Sequence, residues 1–463
     1  MFKKKKNNVK FLTQSALEDY NERTVNVEYE DLPFGMMNMI LSQNFKRPLA
    51  SRKTIGNDNV LIVDGDGKNI DEYYTIPNLL QMNSSYVVAD PEGHIYEAVG
   101  KALENNGYKV KVLNFIDMEH SDKYNPMSYI LSEGQEVHDL VNCFFKNHDK
   151  NNAIDSEEDS QENTEHILYM ACVLYLKFHC TDEQKVNLAS VSDMLKLPSD
   201  FTNNSKMSPL DKVFEKLPGD SIAYEYYACF KRKAGMEWKA YYKSCADKLN
   251  IFSSTKIASM MQKDTLELNK MGKEKTALFV IFPKDNPYKC ITSMLYTQIW
   301  NVLLYEGEKR YDATNSSRLK IPVQIMMNNL SNLGYLKRFI TSSFAFCYKY
   351  NISFTVSIQS IGQLIDAVGK ELYKPFVYNF HTVMYSQSRD YDTVEFFAEI
   401  LEKTFSDWDA QMKNKRKTKH VKLLDQLFNL PPEMCIVDSR CKNSKPILDY
   451  KYNLKTHPKY HII

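Results

Sequence analysis

Short runs of β-branched and aromatic residues recur along the chain, each separated from the next by a stretch with helical spacing. They are "VLIV" (Val60–Val63), "YVVAD" (Tyr86–Asp90), "KVKVLNF" (Lys109–Phe115), "TALFVIF" (Thr276–Phe282), "VQIMMNN" (Val323–Asn329), "ISFTVSIQ" (Ile352–Gln359), "HTVMYSQ" (His381–Gln387) and "CIVDS" (Cys435–Ser439). Most are continuous apolar runs, the pattern of strands covered on both faces. "EAVGKALENNGYKV" (Glu97–Val110) carries a helix stop, with Gly107 just after its last turn. Strand, helix and strand in alternation predict an α/β domain built on a mostly parallel sheet.

The alternation breaks off between Tyr129 and Lys273. Segments such as "TEHILYMACVLYLKFH" (Thr164–His179) and "YYKSCADKLNIF" (Tyr241–Phe252) predict an all-helical insertion there. The expected organisation is an N-terminal segment (1–58), a discontinuous α/β domain (59–128 and 274–463) and an inserted all-α domain (129–273). The acidic run Asp155–Glu162 is expected as a loop in the insertion. The basic run "KNKRKTKH" (Lys413–His420) is expected as a solvated loop. Its alternative role is phosphate or DNA contact through Lys413, Lys415, Arg416, Lys417 and Lys419. No internal repeat is present.

Composition narrows the class without naming a function. The 463 residues are 43% hydrophobic and 25% charged, which is ordinary for globular domains. The net charge of +1 gives no bulk attraction to nucleic acid or anionic lipid, so DNA is open as a partner but not indicated by charge. Nine cysteines without a CxxC pair predict reduced thiols and no metal site. His179-Cys180 is the nearest approach to a metal cluster, and it ends an apolar helical run. No apolar run reaches the roughly 18 residues of a membrane span. "MFKKKKNNVK" has no apolar stretch behind it and does not read as a signal peptide.

The chemistry gathers at "NVLIVDGDGKNIDEYYTIPNLLQ" (Asn59–Gln81), a buried strand, a glycine-containing loop and a helical pattern. That is the layout of a Walker A loop, GxxxxGK[ST], whose N–H groups wrap phosphates while its Lys neutralises them and its Ser/Thr holds Mg²⁺. Here Gly65 and Gly67 persist as turn-formers. Asp64 stands at the first Gly, and Asn69, Ile70 and Asp71 stand at the final Gly-Lys-[ST]. Ile70 removes the main cation, and Asp66 and Asp71 add negative charge. One like-charge pair at 4 Å costs about 4 kcal/mol at an effective dielectric near 20, roughly three orders of magnitude in affinity. An EF-hand frame fails, because its fifth, sixth and twelfth positions would be Lys68, Asn69 and Thr75. GxSxG and HExxH are both missing. "IPVQIMMNNLSNLG" (Ile321–Gly334) supplies the later strand of such a site, but Asn328 and Asn329 stand where Asp-Glu would hold Mg²⁺ and activate water.

On these motifs the chain resembles the TraG/TraD-type coupling proteins of conjugation and type IV secretion, from Leu41 to Tyr460. The resemblance also rests on "LSQNFKRPLASRKTIGNDNVLIV", "PNLLQMNSSYVVADPEG", "NGYKVKVLNF", "YNP", "KTALFVIFP", "SMLYTQIW", "SIQSIGQL" and "YKYNLKTHPKY". It implies a RecA-like P-loop NTPase domain with an inserted helical domain. It implies a place in the cytoplasm or at the inner face of the bacterial plasma membrane. Partners would be proteins of a conjugation machine, an active paralogue or a relaxase, in a homo- or hetero-oligomer. Gln359 matches the Gln that follows the family's next strand. Tyr348 and Tyr350 stand near expected arginines, and the membrane helices that usually precede the domain are missing from the sequence. Active relatives use ATP and Mg²⁺; the replaced residues here imply no cofactor, no catalytic residue and a catalytically inactive relative. The competing expectations are a working DNA-transfer motor with unusual residues, and a DNA- or relaxase-binding module using the helical domain.

Overall fold

The computed structural model describes residues 38–49, 57–67, 69–148, 163–196, 208–336, 340, 343–406, 416–440 and 445–463. Its strands are β1 (Asn38–Ile40), β2 (Lys46–Pro48), β3 (Val60–Val63), β4 (Ser85–Pro91), β5 (Lys109–Asn114), β6 (Thr276–Phe282), β7 (Val323–Met327), β8 (Ile352–Ile358), β9 (Thr382–Tyr385), β10 (Met434–Ser439) and β11 (Ile447–Tyr450). β3 to β11 form one nine-stranded sheet in the order β11-β10-β9-β3-β8-β7-β4-β6-β5. From β9 to β5 every pairing is parallel; β10 and β11 add an antiparallel edge. Every residue of β3, β6, β7 and β8 is buried, which is why these strands read as unbroken apolar runs.

All eight strands expected from the sequence are present. Among the described residues, the stretch between β5 and β6 holds helices and turns and no named strand. Its central helix, Thr164–Phe178, is capped by Asn163, whose side chain accepts the N–H of Glu165, and is buried almost all round. It packs on Ile222–Ala234 and on Gln135–His148. The last of these also lies on the long helix Lys289–Thr314 beside the sheet. One continuous apolar core therefore joins sheet residues such as Leu61 and Val87 to Tyr169 and Phe230 of the insertion.

Three details differ from the sequence reading. Residues 38–48, grouped above with the N-terminal segment, form the β1–β2 hairpin and pack Met39, Leu41 and Phe45 against Val60 and Ile62. β11 was not foreseen. The basic run is not wholly a loop, because Arg416 opens the helix Arg416–Phe428. Lys413 and Lys415 lie outside the described residues, as does the acidic run, and the side chains of Arg416, Lys417 and Lys419 are not described.

Candidate functional site

The parallel strands deliver the motif residues to one edge of the sheet. The loop Asp64–Asn69 leaves the carboxyl end of β3, Asn328 and Asn329 leave β7, and Gln359 leaves β8, which lies between them. Ligands of open α/β sheets bind at such carboxyl ends. The loop is tightly fitted. A Cβ on Gly65 would lie 2.9 Å from the Gln387 carbonyl oxygen, and one on Gly67 (φ +63°) would lie 2.5 Å from Gln359 Nε2. Gln359 is thus packed over the loop, with its Oε1 accepting from Gln363 Nε2.

In a phosphate-binding loop the successive backbone N–H groups point at the ligand. Here two continue the pairing of β3 with β8 and β9, and the next two turn back onto the loop. Asp64 N–H donates to the Ile358 carbonyl (3.0 Å) and Gly65 N–H to that of Gln387 (2.5 Å). Asp66 and Gly67 N–H both donate to Asp64 Oδ1, at 3.2 and 3.4 Å. The other oxygen, Oδ2, accepts from Tyr73 Oη at 2.9 Å and lies 3.5 Å from Lys451 Nζ. Asp64 is only 2% exposed. Burial and the adjoining carboxylate push the Tyr73 phenol well above its usual range, so it stays a donor. The Lys451 ammonium also sits 4.8 Å from the centre of the Tyr73 ring. A carboxylate from the loop therefore accepts two of the loop's own N–H groups.

The residue at the Walker lysine position faces elsewhere. Ile70 is 7% exposed and packs in the apolar cluster of Met39, Phe45, Ile62 and Tyr74. Asn69 is exposed, and its carbonyl accepts from the N–H groups of Glu72 and Tyr73.

The other half of the site lies at β7. Asn328 Nδ2 is 3.2 Å from Asp71 Oδ1 and 3.4 Å from Thr75 Oγ1, so these residues do meet. The Asn328 amide oxygen is buried without a partner, as is the Tyr296 hydroxyl. Burial raises Asp71 to about 6, with His94 and Thr75 opposing the rise and Glu72 adding to it. Asp90, at the end of β4, is raised to about 7 by burial, although it accepts the N–H groups of Ile95 and Tyr96; the Asp71 charge adds to the rise. Asn329 takes the left-handed conformation (φ 58°, ψ 68°), donates its N–H to Ser357 Oγ and accepts from Ser331 Oγ. Asparagine tolerates that backbone better than glutamate does. Tyr348 is 48% exposed, while Tyr350 is buried and donates to Glu308. His179 Nε2 bonds to Ser221 Oγ at 2.9 Å.

Tyr73, Lys451, Asp90 and Thr75 were not picked out from the sequence. Lys451 was visible only as part of "YKYNLKTHPKY", with nothing to tie it to a loop 387 residues earlier.

The family profile for the conjugative DNA transfer proteins of the type IV secretory system matches residues 61–424, most of the chain. The chain belongs to that family. No curated protein sequence matches it. Among solved structures, it is similar to the bacterial conjugative coupling protein TrwB in its unbound form (TM-score 0.60, 12% identity, covering 98% of this chain and 96% of that one). TrwB in complex with ADP and Mg²⁺ matches with a TM-score of 0.64 at 11% identity, over 96% and 94% of the chains. VirB4 of Thermoanaerobacter pseudethanolicus matches at 0.52 and 15% identity, over 92% and 98%. These likenesses establish the RecA-like fold of this family member. No described helix is long and apolar enough to cross a membrane.

ADP and Mg²⁺ in a relative make a fit test necessary. The residues here do not suit a nucleotide. Two of the loop's N–H groups, those of Asp66 and Gly67, are bonded to the buried Asp64 carboxylate, and the position of the phosphate-binding Lys is an apolar core residue. On the metal side, an amide and a raised-pKa carboxyl replace the expected hydroxyl and Asp-Glu.

Proposed function

We propose that this family member is a catalytically inactive coupling-protein-like factor. In this reading it acts as an adaptor or regulator in the delivery of DNA or protein substrates to a conjugative type IV secretion channel. The observation that carries the proposal is Ile70 buried in the apolar core at the Walker lysine position, beside a loop whose Asp66 and Gly67 N–H groups are bonded to the buried Asp64 carboxylate. Phosphates would have to displace that carboxylate while meeting no lysine from the loop's Walker position. Hydrolysis would also lack the Mg²⁺-holding and water-activating carboxylates at Asn328 and Asn329. What remains is an intact α/β sheet and helical region, a scaffold able to present surfaces to proteins of the machine. Its partners are of that kind, and it needs no nucleotide or metal.

The test is a calorimetric titration of the purified chain with Mg·ATP and then ADP. No heat up to millimolar nucleotide is the expected result. Micromolar binding, or any turnover in a phosphate-release assay, would sink the proposal and favour the working motor.

A further inference from the structure

Three helices of the insertion meet around a pair of imidazoles. His138 stands on Gln135–His148 and His166 on Thr164–Phe178, with their rings stacked at 5.8 Å between centres and 20° between planes. Tyr226 of Ile222–Ala234 joins them, its hydroxyl 3.0 Å from His138 Nε2. His166 is 1% exposed, and Phe145 stands edge-on to its ring at 6.0 Å. Its Nε2 lies 3.0 Å from Asn142 Oδ1, an acceptor, so Nε2 carries the ring proton. Nδ1 is then a bare lone pair, buried without a partner among the described residues.

A second proton on this ring has nothing to hold it. Lys146, on the same helix as His138, adds positive charge nearby. The carboxylates next in sequence are committed elsewhere. Glu165 accepts from Ser244 Oγ at 2.6 Å and from Lys248 of the helix Trp238–Lys248, and Asp139 accepts from Gln135 and Asn301. The Lys248 ammonium also lies 5.2 Å from the centre of the Phe145 ring. Burial lowers His166 to about 3, and the His138 and Lys146 charges add to the effect.

We propose that the His138–His166 pair is a pH-sensitive latch: neutral, it holds Gln135–His148 onto Thr164–Phe178, and protonation of His166 parts the two helices and loosens the insertion. Gln135–His148 also packs on Lys289–Thr314 beside the sheet, so the latch governs how firmly the insertion is tied to the α/β domain. It uses no residue of the sheet edge and stands apart from the function proposed above. The sign follows from the ring. His166 takes up its proton once it reaches water, so each pH unit below the ordinary value near 6.5 favours the opened state about tenfold, until the folded value is reached.

The test is hydrogen exchange of the full-length chain at pH 7.5 and 5.0, with rates corrected for chemical exchange at each pH. The rise in opening of residues 135–148 and 164–178 on going to pH 5.0 is expected to be about thirtyfold larger in wild type than in His166→Gln. Strands β6, β7 and β8 should stay protected at pH 5.0 while the insertion helices exchange. An equal pH response in a folded H166Q overturns the proposal, as does exchange of the insertion and the sheet together. If H166Q does not fold, His166→Phe fills the same apolar site without a titratable ring, and the same comparison applies. A wild type whose insertion helices open equally at both pH values overturns the latch without any variant.

Discussion

The two halves of the sheet edge both depart from the Walker motifs, and they stand in different electrostatic states. Beside β3, donors and acceptor match: four N–H groups, a phenol and an ammonium face carbonyls and one carboxylate. Beside β7 they do not. Asn328 Oδ1 and the Tyr296 hydroxyl lack partners, and Asp71 and Asp90 both hold protons more strongly than ordinary carboxyls. On the β3 side a buried carboxylate meets its donors; on the β7 side polar groups are left without partners. A buried polar group stays mismatched unless a partner lies within reach, and Asp64 has such partners where Asn328 Oδ1 does not.

The sharpest way to break this contrast is to return the Walker lysine. Ile70→Lys puts an ammonium into an apolar cluster rather than into the cradle. We expect a loss of about 3–5 kcal/mol in denaturant unfolding, with no gain of nucleotide binding. A stable, ATP-binding I70K would show that the loop readily re-registers and that the β3 half is not fixed.

A pH series probes the β7 half. Asp71 is raised above its unfolded value, so the folded state binds the extra proton. Stability from this group is therefore highest at low pH, falls as pH rises from near 4 to about 6, and stays lowered above that. Asp71→Asn should remove that slope and stabilise the protein at pH 7 by about 1–2 kcal/mol, discounted for its partial exposure. An identical slope in wild type and D71N would mean the β7 half carries no such strain.

Restoring the second Walker B acid tests the backbone. Asn329→Glu forces a longer side chain into the left-handed region and removes the acceptor for Ser331, at about 1 kcal/mol. Thermal unfolding with no loss for N329E would remove this barrier to reversion.

The smallest effect lies outside the site and serves as a control. His420 has Glu402 at 3.0 Å from Nδ1 and Glu395 at 3.1 Å from Nε2, an arrangement that needs both ring nitrogens protonated. The carboxylates raise its pKa against the opposing effect of burial. This stabilisation is full below the unfolded value near 6.5 and is lost as pH rises through the folded one. His420→Gln should cost about 0.5–1 kcal/mol at pH 6 and less at pH 9, because the group is partly exposed. An effect larger at pH 9 would refute the charged clasp.

Much of the fold was legible because buried parallel strands announce themselves as unbroken apolar runs. "TALFVIF" and "VQIMM" needed no context. The β1–β2 hairpin has three-residue strands, and "ILDY" of β11 mixes apolar and charged positions, so neither rises above its surroundings. At the site, the replaced motif positions could be read directly. Their consequences could not. Asp66 and Asp71 looked like the repulsive charges, whereas Asp64 is the one whose carboxylate takes up N–H groups of the loop. That depends on a turn bringing a carboxylate back onto its own loop, and on a lysine arriving from the opposite end of the sequence.

The internally bonded loop also has a meaning for the cell's energy balance. A site that closes on a ligand gains stability in proportion to the logarithm of ligand concentration. On the proposed reading this loop has no such dependence. Its shape would be set by the chain alone, and the scaffold it belongs to would hold the same form in a starved cell as in a growing one.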